Sequence, residues 1–104
     1  MNDAMRKFHH QHSIPTPHTL PDHRVLQALT DLANNQDMDY SKFCQVAESE
    51  PLIITRIMRA ARAIRAGREN GVDELRHAIA IIGVRRVQEI LEAIGRDVHR
   101  SKAG

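Results

Sequence analysis

The chain has 104 residues, 15 Lys or Arg against 13 Asp or Glu and a formal net charge of +2, which allows one domain at most and names no partner by charge alone. Hydrophobic residues make up 41%, aromatics only 3%, and Trp is absent. One cysteine, Cys44, excludes an intrachain disulfide and a thiolate metal cluster within the chain; no apolar stretch approaches the ~18 residues of a membrane span, and no charged start runs into an apolar leader. Ala, Ile, Leu and Arg dominate, and no Val/Thr/Tyr-rich alternating run suggests a strand. The expectation is an all-α, cytoplasmic protein: a compact bundle of about five short helices with flexible N- and C-terminal tails.

Residues 1–19 are polar and rich in His, and Pro15 and Pro17 oppose a continuous helix. They are expected to be a flexible arm. The cluster His9, His10 and His12 would bear the whole ordering cost on binding a metal, so adventitious affinity is expected there rather than a site.

The helical unit is expected over residues 20–95. Its first helix opens at Leu20-Pro21-Asp22, with Pro21 suited to an early helical position. Val25, Leu26, Leu29, Leu32 and Ala33 then recur at helical spacing, and residues 34–37 end the run. A second, short helix takes Asp39 or Ser41 as its cap and turns Phe43, Val46 and Ala47 inward. It stops before Pro51, because the residue preceding a proline is pushed out of the helical region.

Pro51 begins the third helix, with Ser49 or Glu50 near its N-cap. Ile53, Ile57, Ala60, Ala61 and Ile64 span about 100° of the helical wheel, a normal buried stripe. Arg59 and Arg62 fall nearly opposite, with Arg56 and Arg65 towards the flanks. Gly67 is expected to end this helix and Gly71 to close the loop. Val72-Asp73 reads as staple and cap for a fourth helix bearing Leu75, Ala78, Ile79 and Ile82. Gly83 breaks it. The fifth helix carries Val87, Ile90, Leu91 and Ile94 and is expected to stop at Gly95, leaving residues 96–104 as a polar, basic tail.

Catalytic chemistry finds little support. Neither standard Gly-rich phosphate loop is present. Cys44 sits among apolar positions with nothing nearby to stabilise a thiolate, which describes a buried structural thiol. His77 lacks a ligand-spaced helical neighbour. Asp22-His23 stands at a helix start, where an acid serves as cap or dipole partner. Glu89 and Glu92 are three apart on a solvent face without a pocket. No enzyme activity, metal, cofactor or small-molecule substrate is therefore expected.

The spacing from the third helix onward is more specific. Glu50-Pro51-Leu52 followed by Ile57-Met58 and Ala61 resembles the Asp-Pro-Leu opening and Leu-Leu-x-x-Ala continuation of HDOD domains. The run Val72-x-x-Leu75-x-x-Ala78-Ile79-x-x-Ile82-Gly83-x-x-x-Val87 resembles that family's Ile-x-x-Leu-x-x-Ala-Ile-x-x-Leu-Gly-x-x-x-Leu, and Leu20-Pro21 resembles its common start. Together the matches cover residues 20–94 and correspond to the N-terminal half of such a domain, whose usual length is about double, so a truncated form is expected. The resemblance implies a bacterial signalling module, acting as scaffold or output. It also implies a fold related to HD phosphohydrolases without their metal ligands, and no His-Asp dipeptide occurs in this chain. Where the family usually has Asn-Ser after its Leu-x-x-Ala segment, Arg62-Ala63 stand instead, so any polar role of that pair is not carried over.

Two functions compete. The first is a regulatory protein–protein module, in which Val87, Ile90, Leu91 and Ile94 form an apolar surface for a second copy or another protein. The second is nucleic-acid binding through Arg56, Arg59, Arg62, Arg65, Arg85 and Arg86. A helix-turn-helix about Gly83 is opposed by Glu89, which stands six positions on where an apolar residue is wanted, and stacking aromatics are lacking. The acidic segment also matters: residues 20–50 hold six acids against two bases, whereas residues 51–68 hold five arginines and no acid. The arginines could thus simply pair with Asp22, Asp31, Asp37, Asp39, Glu48 and Glu50 of the same or a neighbouring chain.

Overall fold

The computed structural model describes residues 16–65 and 74–103, the last two as backbone only. Five helices make up the described fold: α1 (His23–Ala33), α2 (Tyr40–Ala47), α3 (Pro51–Ile64), α4 (Leu75–Ile82) and α5 (Val84–Ala103). No strand occurs among the described residues. The His9, His10 and His12 cluster, Gly67, Gly71 and the Val72-Asp73 cap fall outside them.

Local chemistry sets the helix starts. The Asp22 carboxylate accepts the Arg24 N–H at 2.7 Å and the Asp39 carboxylate accepts the Lys42 N–H at 3.0 Å, each satisfying a donor that the first turn leaves unpaired. Pro51 occupies the first position of α3, where its missing N–H costs nothing. The turn into α5 is made by Gly83, at φ +87° and ψ 154°, a backbone region essentially restricted to glycine. Its N–H closes α4 on the Ile79 carbonyl at 2.8 Å, and its carbonyl starts α5 by accepting from Val87 at 3.2 Å.

The helices pack as two pairs around one core. The α3 helix lies along α4, α1 lies along α5, and α2 bridges both pairs. Phe43, Leu29, Ile53, Ile57, Ile79, Val87, Leu91 and Ile94 are the largest fully buried side chains. Each contributes roughly 1.5–3 kcal/mol by leaving water, so the few long-range packings carry most of the stability of so short a chain.

Three expectations are corrected by this packing. First, α5 does not stop at Gly95 but continues to Ala103, because that glycine keeps a helical backbone and lies against Leu26 of α1. The basic segment after it is therefore helical through residue 103. Second, Val87, Leu91 and Ile94 are no association surface. They are 0–1% exposed, since α1, α3 and α4 all pack on α5, and only Ile90 keeps partial exposure. Third, the buried stripe of α3 is Leu52, Ile53, Ile57, Met58 and Ala61. Ala60 is only half-buried and Ile64, at the helix end, is 62% exposed.

Candidate functional site

With the apolar face of α5 buried in the core, the candidate surface lies where the C-terminal half of α3 meets the beginning of α5. Ala60, Ala63 and Ile64 of α3, Ile82 at the end of α4, and Arg85, Arg86 and Glu89 of α5 line one open groove there. Four of these lining residues are apolar and three are charged. Helical spacing brings Ala60, Ala63 and Ile64 to one edge of α3, and the glycine turn at Gly83 carries Arg85 and Arg86 back beside them.

The six arginines thus do not make one patch. Arg85 and Arg86 border the groove, whereas Arg56, Arg59, Arg62 and Arg65 do not line it. Arg59 and Arg62 are exposed, and Arg56 and Arg65 are half-buried at the flanks of α3. Among the described residues, Arg56, Arg59, Arg65, Arg85 and Arg86 form no ion pair with the acids of residues 20–50. Asp22 pairs instead with its neighbour Arg24 at 3.8 Å. Arg100 pairs with Asp97 at 2.7 Å on the last turns of α5. For those five arginines, the charge segregated along the sequence has not been neutralised by the acidic segment.

The acidic segment holds one residue that sequence reasoning missed. Glu50 is 7% exposed, and its Oε2 accepts the backbone N–H of Asp22 at 3.4 Å. Burial pushes its carboxyl above the ordinary range, the Asp22 N–H opposes that rise, and the Asp22 charge adds to it. The position before Pro51 was readable as a helix start, but nothing in the local pattern signals that the loop before α1 closes over it. Asp22, which is exposed, is held below the usual carboxylate range, chiefly by the Arg24 N–H.

The remaining candidates do not converge. Cys44 is half-buried rather than buried, and desolvation pushes its thiol up, away from a nucleophilic thiolate. His77, Glu89 and Glu92 are exposed, as is His23. A shallow cleft between α1 and α5 brings His23, Glu92 and His99 to its walls, yet among the described residues no three His, Cys, Asp or Glu side chains are placed to hold a metal ion. Among the same residues no helix is long and apolar enough to cross a membrane.

No curated protein and no solved structure matches the chain. The sequence pattern of the HDOD domain does match, over residues 19–100. That span takes in all the helices from α1 to α4 and most of α5, beyond Gly95.

Proposed function

This chain belongs to the HDOD domain family, and on that premise we propose that it is a non-enzymatic signalling module that acts through protein–protein contacts at the α3–α5 groove. The observation that carries this reading is Ile64. It is 62% exposed, and it stands not alone but in one groove with Ala60, Ala63 and Ile82. Scattered apolar side chains on a surface are ordinary, whereas apolar side chains gathered in a groove beside charged ones are the anatomy of a contact site. The resemblance to bacterial signalling domains that serve as scaffolds or outputs supports the same reading.

Nucleic-acid binding is the second reading, favoured by the exposure of Arg59, Arg62, Arg85 and Arg86. The two part on a titration of labelled duplex and single-stranded nucleic acid, followed by fluorescence anisotropy at low and at physiological salt. Phosphate contacts give affinity that falls steeply with salt. Micromolar binding of that kind, lost in an Arg59→Glu/Arg85→Glu variant, would replace the protein-contact reading. Absence of binding even at low salt is the outcome expected here.

A further inference from the structure

The groove between α3 and α5 is net positive, because Arg85 and Arg86 line it against Glu89 alone. Both arginines stand in the first turn of α5, which contains no acid. Cations are unfavourable at that end of a helix, where the unpaired N–H groups already present positive charge. Glu89 follows at three and four positions, but base before acid is the poorer order for such a pair. Among the described residues no ion pair holds Arg85, Arg86 or Glu89, and all three are exposed. The fold gains nothing from two arginines here. Their charge and that of the helix end add in one place.

The acids of residues 20–50 do not line the groove. Asp22 pairs with Arg24, and Glu50 is buried against the Asp22 N–H. A carboxylate brought by another molecule would find two guanidinium groups and a helix start together, which makes for the stronger, charge-assisted kind of hydrogen bond. The apolar residues decide what carries that carboxylate. Ala60, Ala63, Ile64 and Ile82 line the same groove, and Ile64 is 62% exposed. Aliphatic side chains gain by covering such a residue. A nucleic-acid strand would want stacking aromatics, and none lines the groove. Glu89 also repels a continuous polyanion, but not a segment whose acids are confined to the arginine end.

We infer that the groove takes a segment of another protein in which aliphatic side chains are flanked on one side by carboxylates. The aliphatic groups pack on Ile64 and Ile82, and the carboxylates meet Arg85 and Arg86. The inference rests on the groove being the contact surface proposed above and names the chemistry of its partner. Four apolar residues, two of them alanines beside the isoleucines, make a small contact next to the ~1,200–2,000 Å² buried in stable complexes, so the binding is reversible.

The test is a selection of short random peptides, displayed on phage, against the immobilised full chain, followed by fluorescence anisotropy of an enriched peptide. The wild-type chain should enrich peptides that combine Asp or Glu with Leu, Ile or Val. Such a peptide should bind Arg85→Glu/Arg86→Glu and Ile64→Ser each about tenfold or more weakly. Changing its acids to Lys should restore binding to Arg85→Glu/Arg86→Glu and not to wild type. Folding is not at risk, because all three side chains are exposed and an acid in the first turn of α5 suits the helix; unchanged thermal melts verify this. Peptides that depend on Ile64 but not on the arginines overturn the inference and leave the groove reading standing. No enrichment, or peptides indifferent to all three substitutions, overturns both. A DNA duplex that displaces the peptide at physiological salt gives the arginines to phosphate and overturns the inference as well.

Discussion

The side-chain amide of Gln88 donates a hydrogen bond to the backbone carbonyl of Ala33 at 2.8 Å, tying α5 to the last turn of α1 across 55 residues of sequence. Carbonyls in the last turn of a helix lack an intrahelical donor, so this bond both satisfies α1 and fixes how α5 lies against it. Replacing Gln88 with Leu removes the donor from a partly buried carbonyl and should cost about 1–2 kcal/mol. Urea unfolding should show a lower midpoint at an unchanged slope.

Two glycines in the same region should respond in opposite ways to alanine. A Cβ added at Gly83 would meet nothing within 4 Å, but the φ of +87° strains any other residue there. Gly83→Ala should destabilise by roughly 1–3 kcal/mol through the backbone alone. Gly95 sits in a continuing helix, and the nearest atom to an added Cβ, Leu26 Cδ2, lies at an ordinary 3.8 Å. Gly95→Ala should therefore stabilise by about 0.4–1 kcal/mol. Thermal melts of the pair check both signs, and equal losses would mean that α5 does stop at Gly95.

Glu50 should make stability depend on pH. Burial holds its folded-state pKa above the ordinary value of 4.5, so between those two values the native state keeps a proton that the unfolded chain has released. Stability from this residue is then greatest below the ordinary value and is lost as pH rises through the folded-state value. Glu50→Gln keeps an acceptor for the Asp22 N–H without the charge. The variant should be more stable than wild type at neutral pH, with the gap closing in acid. Chemical unfolding of both chains across that range measures the gap directly. A variant less stable at neutral pH would show that the charged form is favoured.

The starts of α2 and α3 were legible because a side chain or a proline writes each of them, Asp39 and Pro51; at α1 Asp22 is the cap, and Pro21, expected at an early helical position, lies before it. Gly83 was legible for the same reason, since only glycine makes that turn. Gly95 misled, because a glycine marks a helix end only when its backbone leaves the helix; here the helix runs on, and Val98 beyond it packs against the core. The amphipathic face of α5 was visible, but a sequence pattern does not say whether the chain itself covers that face. Val87, Leu91 and Ile94 are core, and the surface lies instead at Ile64, which shares the period of the α3 stripe yet sits beyond the reach of its partners. Glu50 was hidden because its burial depends on residues 28 positions earlier.

Whether the α3–α5 groove is a protein-contact surface is decided by a photo-crosslinking amino acid at position 64 in cells that make the protein. Adducts to protein are expected, whether to a second copy or another chain, that are lost with Arg86→Glu and absent when the crosslinker is moved to exposed Gln27 on α1. Adducts to nucleic acid alone, or protein adducts indifferent to both changes, would contradict it.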